Sequence, residues 1–213
     1  MKSIEIMLEY IRCYCENDVY RLPQTPTRNK YFFGDINEND ESEILYTHLK
    51  DEVWLNCGAN VGDTIFLFLR LGIEFKKIFA VDGNPQNYLS LKNNLKRLSD
   101  SYKCKIEPHN IFIDEKTDFN ELLSGEKITF LNADIEGFES NLIDSMSAVI
   151  KSDMPVIAIS VYHNKEDLLD ITNKIKSISS DYKFYLRKYS SWHFNINRSG
   201  ELVLYAVPNS RCV

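Results

Sequence analysis

The chain is short of glycine, with eight in 213 residues, so the positions of those eight carry information. No apolar run approaches the ~18 residues of a membrane span. The first apolar stretch, MKSIEIMLEY, is interrupted by acids, so no signal peptide is expected there. Cysteine is sparse and odd in number at five; Cys13 and Cys15 alone sit close together, and no pair of CxxC motifs offers a zinc site. Reduced thiols in a cytoplasmic protein are the expectation. Positive charge is in deficit, 25 basic against 31 acidic residues, which argues against a generic nucleic-acid binder with a basic surface. What is present in quantity is apolar and aromatic residue, 44% and 12%, enough for one domain with an ordinary core and too much for intrinsic disorder.

Ile4, Met7, Leu8, Ile11 and Cys15 recur at helical spacing and predict an amphipathic helix over residues 2–17. Residues 18–36 read as irregular, broken by Pro23 and Pro26 and ending in the aromatic trio Tyr31 to Phe33. A short helix is expected from about Glu41 to Leu49. Residues 1–50 thus form an N-terminal helical extension, either a lid or a dimer contact, and residues 51–213 the main globular unit. From residue 53 the pattern alternates. Strands are expected at 53–55, 77–81, 103–108, 127–133 and 155–161. Helices are expected at 64–71, 85–98, 119–123, 138–150 and 165–178. Asn84 followed by Pro85 is a strong helix start. Two aromatic-rich strands, 182–188 and 202–207, close the chain with no helix between them, so they should pair antiparallel at one edge. The class is α/β with a mostly parallel sheet.

Four of the glycines, Gly58, Gly62, Gly83 and Gly137, fall in strand-to-helix turns, where open α/β sheets bind ligands. Three such turns also carry acids. In the first, three residues separate Gly58 from Gly62, unlike a dinucleotide-binding G-x-G-x-x-G, and Asp63 at the helix start would compete with a phosphate. Asp82, about 20 residues on, stands where an acid accepts a hydrogen bond from a ribose hydroxyl. A nucleoside with a cationic, phosphate-free arm is S-adenosylmethionine. An NAD-dependent oxidoreductase is disfavoured by the same residues.

Five segments, VWLNCGANVGDT (53–64), FAVDGNPQN (79–87), TFLNADIEGFE (129–139), AISVYHNKED (158–167) and YKFYLRKYS (182–190), together resemble the successive motifs of FkbM-family class I methyltransferases. The resemblance implies a Rossmann-like sheet of seven mostly parallel strands, the last antiparallel, with helices on both faces. It also implies transfer of a methyl group from S-adenosylmethionine, leaving S-adenosylhomocysteine. By position, Asn56, Cys57, Gly58, Ala59, Asn60 and Gly62 should surround the methionine part, with Asp63 and Thr64 opening the helix beside it. Asp82 should hold the ribose, Gly83 and Asn84 flank the adenosine, and Asn110 lie at the adenine. Two departures stand out. Asn56 replaces the family's usual Asp, giving up charge attraction for a methionine amino group, and His109 to Thr117 is a shortened segment.

Asp134 and Glu136 end the fourth strand of the alternating series, and His163 follows the fifth. Asp134 should orient the acceptor hydroxyl or act as base, Glu136 bind substrate or support the turn, and His163 offers an imidazole suited to general-base work near neutral pH. Glu139, further into the helix, reads as structural. Arg187 and Tyr189 share a face with Tyr185, as an acceptor contact or as an aromatic edge packed on the core. The expected acceptor is a small molecule or glycan precursor methylated on oxygen. The alternative is a catalytically inactive S-adenosylmethionine-binding module. No nucleic-acid partner, membrane span or metal is called for.

Overall fold

The computed structural model describes residues 19–21, 46–70, 72–188 and 202–212, with the backbone alone for 19–21 and 188. The strands are β1 (Val19–Arg21), β2 (Val53–Cys57), β3 (Lys77–Val81), β4 (Ile106–His109), β5 (Phe130–Ala133), β6 (Val156–Ser160), β7 (Tyr182–Lys188) and β8 (Leu202–Pro208). The helices are α1 (Asp63–Arg70), α2 (Pro85–Leu95), α3 (Asp100–Lys103), α4 (Phe119–Leu123), α5 (Glu139–Ser145), α6 (Ser147–Asp153) and α7 (Asp167–Ile178). Among the described residues, no helix is long and apolar enough to cross a membrane.

One sheet runs in the order β1-β7-β8-β6-β5-β2-β3-β4. All pairings are parallel except those of β8, which is antiparallel to both β6 and β7. The seven expected strands are all present. An eighth, β1, lies parallel to β7 where irregular chain was expected, so the β7–β8 pair does not form the edge. The central strands β2 and β6 are buried at every position, as a parallel sheet covered on both faces requires. Alternation then divides the core. Leu55, Phe79, Leu131 and Ile157 face α4 to α7, whereas Trp54, Ile78 and Phe130 face α1 and α2. The Trp54 indole N–H donates to the Asn132 side chain, so the one polar atom of this large buried ring is satisfied.

Local chemistry explains where elements begin and end. Asn84 caps α2 by accepting from Gln86 N at 2.8 Å, with Pro85 in the first turn. Asp118 caps α4, accepting from Asn120 N and Glu121 N. The single helix expected over 138–150 is two, broken at Met146. Ser145 Oγ donates to Asn141 O at 2.9 Å, a back-bond of the kind that bends helices. The third strand starts at Ile106 rather than Lys103, because residues 100–103 form α3. Residues 46–49 are not helical; Tyr46 instead makes an isolated antiparallel bridge to Cys212. The expected helix over 2–17, residues 41–45, the Tyr31–Phe33 trio and Tyr189 lie outside the described residues.

At the N-terminal end of the sheet, fully buried Glu52 ties three segments together. It accepts from Arg211 Nη2 at 2.8 Å, from Arg211 Nη1 at 3.3 Å and from the Thr129 hydroxyl, and His48 Nδ1 lies 3.2 Å away. Burial alone would raise the Glu52 pKa, but His48, Arg211 and Thr129 outweigh it and hold the carboxyl below its ordinary value. A depressed carboxyl contributes stability above its unfolded-state pKa and loses it as pH falls through the folded one. Stability should therefore decline as pH drops below about 4.5, the ordinary glutamate value. Glu52→Gln should cost about 3–5 kcal/mol at neutral pH and flatten that acid limb. Urea unfolding of both proteins across pH 3–7 measures it; parallel acid limbs would show that the network contributes nothing.

Candidate active site

Strand order reverses between β2 and β5, which sit side by side while their successors leave in opposite directions. The carboxyl ends of strands at such a reversal open a crevice. Here it is a cleft of about 990 Å³ lined by the turns after β2, β3 and β5 and by residues 111–113.

The turn after β2 is latched to β3 by Gly58 N and Ala59 N, both donating to Val81 O at 2.9 Å. Gly58 has φ +82°, and a Cβ there would lie 2.0 Å from Asp134 O. Backbone of the first turn is thus pressed against backbone of the fourth, and only glycine permits it. Asn60 also adopts a left-handed φ of 47°. Its N–H donates to Asp82 Oδ2 at 2.7 Å, while Asp82 Oδ1 accepts from Asn84 N at 2.8 Å and Asn87 Nδ2 at 3.3 Å. A carboxylate offers about four acceptor positions, so three donors leave one for a ligand. Asn110 Nδ2 donates to Asp82 O at 2.8 Å and so props the β3 turn from behind.

The turn after β5 gathers a second group. His163 Nε2 lies 3.5 Å from Asp134 Oδ1 and 3.6 Å from Glu136 Oε2. The Tyr162 hydroxyl faces both Asp134 oxygens, at 3.3 and 3.4 Å. Glu139, fully buried at the start of α5, accepts from Ile135 N at 2.8 Å and Gly137 N at 2.9 Å, and its Oε1 is 2.9 Å from His163 Nδ1. Burial raises the Asp134 pKa, and the charges of Glu139 and Glu136 add to the rise, against His163 and Ser160. Burial would lower the His163 pKa, but contact with Glu139 and the fields of Asp134 and Glu136 win, leaving it above the ordinary histidine value.

Of the expected site residues, Gly58, Asn60, Asp63, Thr64, Asp82, Gly83, Asn84, Asp134 and Glu136 line the cleft. Asn56, Cys57, Ala59, Gly62, Asn110 and His163 do not. Cys57 points into the core on the opposite face, where burial pushes its thiol pKa far up. Ala59 is buried against the α1 face, and a Cβ at Gly62 would lie 2.9 Å from Leu91 Cδ1. Asn56 is fully buried, and neither its Oδ1 nor its Nδ2 has a partner among the described residues. Arg187 is buried. Sequence reasoning missed four contributors: Glu139, Tyr162, and the half-open Phe112 and Phe138. These two rings meet edge to face at 5.0 Å along the cleft. Glu139 carried a readable signal, an acid opening a helix just after a glycine turn, placed to take that turn's amides.

No protein-family model and no curated protein matches the chain. Solved structures do. A methyltransferase FkbM from Methylobacillus flagellatus KT superposes with TM-score 0.74 at 24% identity, over 96% of this chain and 54% of that one. The chain therefore spans about half the length of that protein. An rRNA methylase from Streptococcus thermophilus matches with TM-score 0.53 at 12% identity, over 78% of this chain and 90% of that one. A precorrin-6y C5,15-methyltransferase from Geobacter metallireducens GS-15 matches with TM-score 0.50 at 18% identity, over 74% and 79%. The chain has the class I methyltransferase fold. Within that fold the lining is acidic: Asp63, Asp82, Asp134 and Glu136 face the cleft, and no Lys or Arg lines it among the described residues. Such a field favours a cationic ligand and opposes a polyanionic one.

Gly58→Ala combines positive φ with the backbone collision and should destabilise by at least ~2 kcal/mol. Gly72→Ala, with φ +70° but open space around it, should cost only about 1 kcal/mol. Thermal and urea unfolding of the two variants makes the comparison; equal losses would mean that the contact between turns relaxes freely.

Proposed function

We propose that the protein transfers a methyl group from S-adenosylmethionine to a hydroxyl oxygen of an uncharged small molecule, such as a sugar or glycan precursor. The observation that carries this is Asp82, a nearly buried carboxylate at the end of β3, held by three donors with one acceptor position left toward the cleft. That is the chemistry a ribose hydroxyl needs. The Asn56 amide, buried near the end of β2 and without a partner among the described residues, supports the same reading as a polar group left to be satisfied. The acidic lining suits a sulfonium and an amino group.

S-adenosylmethionine, when bound, supplies an electrophilic methyl carbon. The protein's part is alignment, which can contribute roughly 7–11 kcal/mol, and management of one proton, worth about 10²–10⁴-fold. Asp134 faces the cleft and would orient the acceptor hydroxyl. The proton leaving that oxygen goes to Asp134 or to His163 behind it. Phe112 and Phe138 offer apolar ring faces at the rim, suited to the C–H face of a sugar. The acidic lining weighs against an RNA acceptor. A second reading, a binding module without transfer activity, is favoured by Asn56, an amide where a charge would hold the donor more tightly.

Calorimetry with S-adenosylhomocysteine tests the donor site. The protein should bind it, and Asp82→Ala should weaken binding by about 100-fold, the loss of one strong hydrogen bond to a charged group. No heat at millimolar ligand would overturn the reading. Incubation with labelled S-adenosylmethionine and a panel of sugars should then yield methylated product, slowed 10²–10⁴-fold by Asp134→Asn. Tight binding with no product from any acceptor would favour the binding module.

A further inference from the structure

One amide in the wall of the cleft is nearly sealed and yet only half used. Asn132 sits on β5, two residues before Asp134, is 1% exposed and lines the cleft. Its Oδ1 accepts the Trp54 indole N–H. An indole nitrogen can only donate, so the oxygen of the amide faces it and Nδ2 takes the other side. Nδ2 makes no hydrogen bond among the described residues, but it is not shut away as both amide atoms of Asn56 are. Its outlet is therefore the cleft that Asn132 lines. A partner for the indole requires only the oxygen; an unused donor in a residue this buried costs free energy until a ligand takes it.

Trp54 thus makes Asn132 a donor-only group on the cleft side. Such a group receives an oxygen with lone pairs and rejects an ammonium or a sulfonium. Every charged side chain lining the cleft among the described residues is an acid: Asp63, Asp82, Asp134 and Glu136. The register neighbours of Asn132, Asn56 and Ala158, are uncharged. A ligand carboxylate would meet no cation there and would depend on neutral donors. Asn132 stands two strands from the one that carries Asp82, in the order β5-β2-β3. That is about 10 Å at the spacing of paired strands. The amino-acid arm of a nucleoside held at Asp82 covers that distance when it runs across the turn after β2.

We propose that Asn132 binds the carboxylate of the amino-acid arm of S-adenosylmethionine through Nδ2, with Trp54 holding the amide in the donating orientation. This rests on the methyl-transfer reading above. The acidic lining attracts the sulfonium and the amino group and repels the carboxylate. A neutral donor holds that carboxylate without making the cleft attractive to a polyanion. Holding the ribose at Asp82 and the far end of the arm at Asn132 sets the sulfur between them, near Asp134, two residues on from Asn132.

Calorimetry on the full chain with two ligands tests this: S-adenosylhomocysteine, and its decarboxylated analogue, which keeps the adenosine, the sulfur and the amine. The wild type should bind the first about tenfold or more tightly than the second. Asn132→Asp keeps an acceptor for Trp54 and replaces the donor on the cleft side with a second acceptor. It should weaken S-adenosylhomocysteine by about 10- to 100-fold, the worth of a hydrogen bond to a charged group, and leave the analogue within about threefold. A role confined to supporting Trp54 would weaken both ligands alike or neither, and either result overturns the proposal. If Asn132→Asp fails to fold, the wild-type ¹H–¹⁵N spectrum decides. The Asn132 side-chain NH₂ signals should shift with S-adenosylhomocysteine and not with the analogue; equal shifts overturn the proposal. A wild type that binds both ligands equally overturns this assignment alone. A wild type that binds neither overturns the methyl-transfer reading, and the assignment falls with it.

Discussion

The contact between the turn after β2 and the turn after β5 holds the cleft together. Gly58 lies so close to the Asp134 carbonyl that a single methyl group would not fit. Asp134 N donates back to Cys57 O at 3.0 Å, so the two turns are fused by backbone rather than by side chains. The consequence is a fixed separation between the turn after β3, built around Asp82, and the carboxylate–imidazole group that follows β5 and β6. Chemistry that depends on aligning a donor with an acceptor needs that separation held to within about half an ångström. Hydrogen bonds of Gly58 N and Ala59 N to Val81 O extend the same rigidity to β3.

The two ends of the sheet handle buried acid in opposite ways. At the N-terminal end Glu52 is matched by Arg211, His48 and Thr129, and the result is a clasp that joins distant parts of the chain. At the C-terminal end Asp134, Glu136 and Glu139 converge on one imidazole, and three carboxylates exceed what one histidine can neutralise. Uncompensated negative charge is costly in a folded protein, and it persists where a cationic partner is expected to arrive. The first arrangement closes a clasp, and the second leaves net negative charge at the C-terminal end of the sheet.

Much of the fold was legible in the chain. The strands 77–81 and 182–188 and the helix 119–123 stand where patterning places them, because buried parallel strands and capped helices have strong local signatures. The first-turn glycines and Asp82 were legible for the same reason: φ > 0 and a strand-end acid leave marks in the sequence. What escaped was set by distant neighbours. At the break at Met146 the Ser145 hydroxyl is shared between Asn141 O of its own helix and Asp114 O of a distant segment. The three-residue strand β1 exists only because β7 presents an open edge to it. Asn110 is a residue of the right type at the right place, yet its amide supports the Asp82 backbone rather than the cleft wall.

Sequence by itself determined the alternation of strand and helix, the glycine turns and the acids beside them, because these follow from backbone sterics and local periodicity. It also placed Asp134, Glu136 and His163 at strand ends. Only the tertiary structure decided which of these face the cleft and which stand behind it. Glu139 reads along the chain as an acid placed to take the amides of the preceding turn, and nothing local marks it as a neighbour of His163. That relation arises because β5 and β6 lie side by side in parallel and bring their following turns to the same end of the sheet. Adjacency of strands is a long-range outcome of packing, and the chemistry of this site depends on it.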